Sequence, residues 1–517
     1  MSPNRRISLN IVATYGRSLY ALIIGLFCGR WALMALGESD FGLYGLIGGL
    51  IGFLSFFNNI LASAIGRFYA IKVGEATTLA NPEEGIDECR KWFNTALSIH
   101  IVVPVLLIVI GYPLGLWLIR GFFVIPVDKI AECVLVWRFT CVSCFVSMIN
   151  VPFQAMYTAK QEIAELTIYS FITTTFNACF LYYMITHPGA WLVGYAGWMC
   201  FVGVVPQLII AVRALVKYRE CRFISGYLWD LGRYRSLFLF VIAQFWSNFS
   251  AVFGAQGQTV LVNKYMGPSF NASMTMGNGI AAHAGMLSSS MDGAFWPAIT
   301  NKIGAGDSAE VKKMCFMSMR VSSVLVLVFA IPLALEMHEI LRLWLVNPPE
   351  FTAEIALIVL ARSVAERMTM AYGIAIFGYG KGVMKYSWSV GWAGIGTVLV
   401  AWLFFAYDFK MWSIVIGLAF SKLITVGVRL YVGRAILGFE FLYWIRTVML
   451  PILSLTAVVC GGGFCVQLFL KESIGRIVIT SFTCEILLVL MSWFFVLSDA
   501  EKAFVLKKID PFLKWRR

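Results

Sequence analysis

Three arginines lie in or at the ends of the first two long hydrophobic segments of this chain. They are Arg17, Arg30 and Arg67, and no acidic residue precedes Glu38. An ionisable group inside a membrane helix costs about 2.5–3.5 kcal/mol on insertion scales, so its presence indicates a function. Because these cations have no carboxylate beside them in the first segment, we predict that they bind an anion.

A stripe of polar side chains follows one face of the fourth hydrophobic segment, where residues three and four positions apart share a face. Such a stripe either faces a water-filled cavity or bonds neighbouring helices. We predict a cavity, because the stripe contains two large amides that suit sugar hydroxyls. Two further amides lie one turn apart in the seventh segment. The predicted cavity residues are Ser143, Ser147, Asn150, Gln154, Gln244 and Asn248.

Ionisable residues also occur in two later hydrophobic segments. Asp292 is a carboxylate that needs a partner, and it pairs with an arginine of the first two helices or binds a proton or a cation. Arg362 and Glu366 are spaced for an ion pair within one helix, with Arg367 beside them. These residues leave coupling to a proton or sodium gradient open. The sequence predicts no metal site and no cofactor.

The composition is that of a membrane protein, because 60% of the 517 residues are hydrophobic and 13% are charged, against about 25% charged in soluble domains. A span needs about 20 apolar residues. By that rule we predict an all-α polytopic membrane protein with about fourteen transmembrane helices. Their predicted limits are 11–36, 41–68, 93–119, 131–156, 163–185, 190–212, 236–263, 270–299, 314–341, 353–378, 386–407, 411–433, 446–470 and 475–498.

The distribution of positive charge predicts the orientation. With both termini in the cytoplasm, and with residues at the very edge of a span counted with the adjacent loop, 25 of the 41 lysines and arginines fall in cytoplasmic segments, seven in outer segments and nine within spans. This bias follows the positive-inside rule. The basic segment 213–235 is predicted to be a link between two halves, or to set orientation and attract anionic membrane lipid. The scattered positive charge does not indicate a nucleic-acid partner.

Short motifs recur at a slowly drifting offset, which predicts an internal repeat. Gly37 corresponds to Gly267, the tryptophan motif at 116–119 corresponds to 343–346, and Arg138 corresponds to Arg362. Parallel structural repeats around a central binding site are typical of membrane transporters. We predict two six-helix lobes in a pseudo-twofold repeat plus a C-terminal helix pair. The predicted domains are 1–212, the link 213–235, the second lobe 236–436, and the appended helices with a basic tail, 437–517.

The chain lacks GxSxG, HExxH and Walker A sequences, and its predicted outer loops are short. We therefore expect a transporter and not an enzyme. A membrane glycan polymerase, a ligase or a scaffold for such an enzyme is the non-transport alternative.

Two motifs in the first two helices resemble those of polysaccharide flippases. The run 36–45, LGESDFGLYG, is similar to the "LG..DYG.Y" turn of these proteins, and 62–68, ASAIGRF, is similar to the "SA..R" end of their second helix. They belong to the MATE-like MOP superfamily, which also contains lipid II flippases. The resemblance implies two six-helix lobes around a V-shaped cavity, with cavity cations in helices 1 and 2 that correspond to Arg17, Arg30 and Arg67.

The resemblance also implies a substrate and a location. The expected function is translocation of an undecaprenyl-diphosphate-linked oligosaccharide across the bacterial cytoplasmic membrane by alternating access, for surface polysaccharide biosynthesis. The diphosphate would be the anion, and a polysaccharide polymerase and ligase would be later partners. A lipid II flippase is the near alternative, and a cation-coupled multidrug antiporter is a more distant one. We expect the protein to be a monomer.

Overall fold

The structure of the protein is a computed structural model that describes residues 3–76, 82–160, 162–304, 306–345, 347–380, 382–438, 440–498 and 501–502. Within these ranges the side chains of some helical residues, including Arg67 and Gln244, are not described. The described residues form helices and contain no strand. The predicted all-α, polytopic membrane fold is confirmed.

The chain folds into two compact units, Met1–Ala272 and Ser273–Arg517. The predicted lobe boundary at the link 213–235 remains a prediction. The first unit contains six long helices. They are α1 (Pro3–Ala76), α2 (Pro82–Trp117), α3 (Ile130–Ala159), α4 (Ile163–Thr186), α5 (Leu192–Lys217) and α6 (Leu231–Met266).

The second unit begins within α7 and contains most of the shorter helices. They are α7 (Pro268–Ala284), α8 (Met286–Gly304), α9 (Ser308–Leu335), α10 (Met337–Leu345), α11 (Thr352–Arg367), α12 (Met370–Tyr379), α13 (Val383–Ala406), α14 (Met411–Leu437), α15 (Phe441–Trp444), α16 (Leu450–Phe469) and α17 (Ile474–Met491).

Ten helical stretches among the described residues are long and apolar enough to cross a membrane. The first two predicted spans contribute a single stretch, Leu19–Gly52, and the predicted spans 236–263, 270–299 and 353–378 are helical but not among the ten. Two of these three are interrupted: α7 and α8 are separated at Gly285, and α11 and α12 at 368–369. The third, in α6, carries several amides, which lower its hydropathy.

Gly37 and Gly267 occupy matching positions with nearly the same backbone conformation. Gly37 has φ 74° and ψ 169°, and Gly267 has φ 86° and ψ 178°. These positive φ angles are accessible to glycine at little cost. Gly37 divides α1 at the predicted turn, and Gly267 ends α6. The shared conformation supports the internal repeat that the sequence predicts.

The predicted link 213–235 is bound to the first unit along its length. The Arg219 guanidinium pairs with Glu83 at 2.9 Å, and the Tyr227 hydroxyl donates to Asp87 at 3.0 Å. Asp230 caps α6 by accepting the Arg233 backbone N–H at 2.9 Å, and this hydrogen bond lowers the pKa of the Asp230 carboxyl. Four of the six basic residues of the link pair with carboxylates of the first unit outside the link, and they are Arg213, Lys217, Arg219 and Arg233.

Candidate functional site

A polar cavity of about 460 Å³ lies within the second unit. Its walls come from α7, α8, α11 and α14, and they combine small residues with four ionisable side chains. The lining residues are Asn278, Ala281, Ala282, Gly285, Ser289, Val359, Arg362, Ser363, Glu366, Arg367 and Lys422.

Two helix interruptions border this cavity. At the first, a Cβ added to Gly285 would lie 3.3 Å from the Ala281 carbonyl oxygen and 3.8 Å from a terminal nitrogen of Arg367. The distance to Arg367 is an ordinary van der Waals contact, so the tight contact at Gly285 is with the Ala281 carbonyl of its own helix. The second interruption follows Arg367, the last residue of α11. Broken helices within membrane transporters commonly border the binding site, because their ends supply polar groups inside the bilayer. The interruption after Arg367 is of this kind, whereas at Gly285 the helical hydrogen bonds continue on both sides.

The helices of the first unit that the predicted repeat pairs with these helices are continuous at the corresponding points. In α1 the non-helical residue is Gly37, and α3 is helical from Ile130 to Ala159. The interruptions at Gly285 and after Arg367 are thus features of the second unit.

The first ion pair at the cavity joins α8 and α11. The Arg367 guanidinium contacts the Asp292 carboxylate, and it also donates to the Ser289 hydroxyl at 2.9 Å. Asp292 accepts a further hydrogen bond from Ser322 of α9 at 2.6 Å and is 6% exposed. Asp292 is therefore satisfied within the second unit, and the predicted pairing with an arginine of the first two helices is replaced by a pair with Arg367.

The second ion-pair group joins α11 and α14. The Glu366 carboxylate contacts the Lys422 ammonium and accepts from Arg429 at 2.5 Å. Arg429 is 7% exposed and also donates to the Tyr386 hydroxyl at 3.1 Å and the Thr369 hydroxyl at 3.2 Å. The predicted intrahelical pair between Arg362 and Glu366 is thus replaced by pairs between helices.

Arg362 is left without a hydrogen-bond or ion-pair partner among the described residues, and its side chain is exposed into the cavity region. The six ionisable groups of the cluster comprise four cations and two carboxylates, which give a net charge of +2. They are Arg362, Arg367, Lys422, Arg429, Asp292 and Glu366. Since charges interact strongly away from bulk water, the arrangement favours an anionic ligand, and a free guanidinium fork suits phosphate oxygens.

The sequence analysis predicted that Asp292, Arg362 and Glu366 form ion pairs or couple transport to an ion gradient, and all three lie in this cluster. It missed Lys422 and Arg429, which lie seven residues apart on one face of α14. Two cations within one predicted span were a signal that could have found them. Among the described residues no group of three or more metal-ligating side chains is present.

Arg17 and Arg30 belong to the first unit and are not part of this cluster. Arg17 is exposed and Arg30 is partly buried, and neither has a polar partner among the described residues. The Arg67 side chain lies outside the described residues. Their role in binding an anion remains a prediction.

The polar stripe of α3 packs against α5. The amides of Asn150 and Gln154 both donate to the Gln207 side-chain oxygen, with 2.6 Å for Gln154. Asn150 is 2% exposed. At these two positions the stripe bonds neighbouring helices, which is the alternative to a water-filled cavity.

The remaining predicted cavity residues are placed as follows. The Ser143 hydroxyl donates to the Phe139 carbonyl at 3.1 Å, within its own helix. Ser147 and Asn248 are partly buried, and the Gln244 side chain is not described. Contact of these residues with sugar remains a prediction.

Solved structures of membrane transporters resemble this chain. An inward-facing multidrug resistance MATE family transporter of the MOP superfamily has a TM-score of 0.63 and 14% identity, over 84% of this chain and 97% of that chain. A lipid II flippase in an inward-closed conformation has a TM-score of 0.60 and 12% identity, over 94% and 98% of the two chains. A MOP superfamily transporter from Pyrococcus furiosus has a TM-score of 0.59 and 13% identity, over 85% and 96%.

No protein-family model matches the chain, and no curated protein matches its sequence. At identities of 12–14% the structural likeness shows the fold alone. The chain is a multi-pass membrane protein with the fold shared by MATE transporters and the lipid II flippase of the MOP superfamily.

Proposed function

We propose that the protein is a flippase that moves an undecaprenyl-diphosphate-linked oligosaccharide across the bacterial cytoplasmic membrane by alternating access. The observation that carries this proposal is the cavity cluster with a net charge of +2 and the unpaired Arg362. A diphosphate offers closely spaced anionic oxygens, and arginine binds such oxygens through two parallel N–H donors. The charge and geometry of the cluster therefore suit the linkage between lipid and glycan.

The extent of the structural likeness supports a lipid-linked substrate. The multidrug MATE transporter covers 84% of this chain, whereas the lipid II flippase covers 94%. The chain therefore shares more of its length with the lipid II flippase than with the multidrug transporter. Lipid II flipping is the second candidate function, because it would use the same cavity and the same diphosphate chemistry.

The charge of the cavity speaks against transport of cationic drugs, because a net positive cluster repels a cation in a medium of low polarity. For the proposed flippase, the glycan would leave the protein chemically unchanged. A separate polymerase and ligase would then act on it.

The proposal is tested with purified full-length protein in proteoliposomes. Three probes are compared: a polyprenyl-diphosphate-linked oligosaccharide, lipid II and a cationic dye. We expect the protein to accelerate transbilayer movement of the first probe, measured by its accessibility to a membrane-impermeant reagent, with no change in its mass. Faster movement of lipid II than of the oligosaccharide identifies the second candidate. Dye transport without glycan movement, or chemical conversion of the glycan, contradicts the proposal.

A further inference from the structure

A groove of about 500 Å³ lies between α2 and α3 of the first unit, outside the cavity described above. Both helices belong to the stretches that are long and apolar enough to cross a membrane. The groove is lined almost entirely by hydrophobic side chains, several of them exposed, and it contains one charged residue, Arg138. Val109 and Val142 on its two walls are 65% and 50% exposed.

Arg138 has a single polar partner among the described residues. Its Nε donates to the Tyr112 hydroxyl at 3.2 Å, and the arginine is exposed. Within the described part of the chain, the terminal guanidinium nitrogens of Arg138 form no ion pair and no hydrogen bond. An arginine within a membrane helix is costly unless an anion or water solvates it. The unused donors of Arg138 therefore require a partner from outside the first unit.

The helices α2 and α3 are tightly packed against each other beside Arg138. Trp137 donates to the Tyr112 carbonyl at 3.2 Å, and its ring lies against Gly115, where an added Cβ would be 2.4 Å away. This contact fixes α3 against α2, so Tyr112 and Arg138 stay together at the groove.

The position of Arg138 along α3 suits a lipid head group. It lies eight residues after Ile130, where α3 begins, or about 12 Å along the helix axis. Helical side chains point towards the N-terminus of their helix, and long basic side chains extend towards the membrane surface. The guanidinium can therefore reach the level of phosphates near the start of α3, while the apolar groove continues beside it.

We propose that this groove binds an anionic phospholipid of the surrounding bilayer, with its phosphate on Arg138 and an acyl chain along Val109 and Val142. One phosphodiester charge matches the one cation of the groove, whereas the cluster around Arg362 carries a net charge of +2 and suits a diphosphate. Arg138 and Arg362 are repeat-equivalent positions, so the two units present equivalent arginines to two different anions. This site does not depend on the proposed transport function.

The test is native mass spectrometry of the purified full-length protein with phosphatidylglycerol or phosphatidylcholine at matched concentrations. We expect wild-type protein to retain phosphatidylglycerol preferentially. Arg138→Gln should weaken that binding by about tenfold, and Arg138→Lys should restore part of it. The matched control is Arg120→Gln, which removes an exposed charge near the end of α2 but outside the groove.

Val142→Trp provides an independent variant, because it fills the groove and keeps Arg138. We expect it to reduce phosphatidylglycerol binding, with melting temperature and size-exclusion profile confirming the folded state. If Arg138→Gln fails to fold, this variant decides the outcome. Equal loss in Arg138→Gln and Arg120→Gln, unchanged binding in Val142→Trp, or equal retention of both lipids by the wild type would overturn the proposal.

Discussion

Arg362 and Glu366, both among the described residues, lie one helical turn apart on α11 without forming an ion pair. Glu366 pairs instead with Lys422 and Arg429 of α14. Because α14 satisfies the carboxylate, Arg362 keeps its donors available at the cavity. The interhelical pairs therefore both hold α11 against α14 and leave a cation for an anionic ligand.

Removal of the Glu366 carboxylate should destabilise the second unit. Glu366→Gln leaves Lys422 and Arg429 close together without their shared counter-ion, and breaking a buried ion pair costs about 3 kcal/mol. Thermal unfolding of the purified protein measures this loss. The double variant Glu366→Gln/Lys422→Met should recover part of the stability, because one of the two unpaired cations is removed. Additive losses in the double variant would show that the pair is not coupled.

The Asp292 carboxylate is expected to serve structure and not ion coupling, because it is bonded to Arg367 and Ser322. Asp292→Asn should lower the melting temperature, and Ser322→Ala should cost about 1.5–3 kcal/mol, the value for a hydrogen bond to a charged group. Transport assays at different sodium concentrations and pH values should show the same ion dependence in Asp292→Asn as in the wild type. Loss of that dependence in a folded variant would assign coupling to Asp292.

Gly433 of α14 allows this helix to pack closely against Tyr372 of α12. A Cβ added there would lie 2.3 Å from Cδ1 of Tyr372. Gly433→Ala should therefore cost about 1–3 kcal/mol through overpacking, and should reduce transport because α14 carries Lys422. Gly427→Ala is the matched control in the same helix, since its Cβ would meet nothing within 4 Å. Equal melting temperatures and activities for the two variants would contradict this packing.

The amide side chains at the α3–α5 contact allow a test of whether the polar stripe of α3 bonds neighbouring helices or binds sugar. Gln207→Leu removes the acceptor shared by Asn150 and Gln154 and should cost about 1–3 kcal/mol, because two amide donors lose their partner. Ser147→Ala, at a residue with no hydrogen bond among the described residues, should leave stability unchanged. A Gln207→Leu protein of normal stability with altered glycan selectivity would instead favour the sugar-contact prediction.

The parts of the fold that depend on the length of apolar segments and on the position of glycines could be predicted from the sequence. The long apolar segments and the turn at Gly37 were predictable, because each depends on local residues. The interruptions at Gly285 and after Arg367 were not, because the sequence analysis assigned one continuous span across each of them, 270–299 and 353–378.

The site was predicted in part for a similar reason. Asp292, Arg362 and Glu366 could be recognised as costly groups within apolar segments. Their partners depend on which helices become neighbours in space, and one-dimensional spacing favoured the pair within α11. The amides of α3 illustrate the same limit, because the sequence cannot show that Gln207 of α5 lies opposite them.

The most direct measurement is the transport rate of Arg362 variants in proteoliposomes with the polyprenyl-diphosphate-linked oligosaccharide. Arg362→Ala should lower the rate by about tenfold, since one charge-assisted contact is lost. Arg362→Lys should retain part of the activity, and Arg362→Glu should abolish it. Arg434→Ala is the control, because it removes an exposed cation near the end of the same unit's α14, outside the cavity. A folded Arg362→Ala protein that transports the glycan at the wild-type rate would contradict the account.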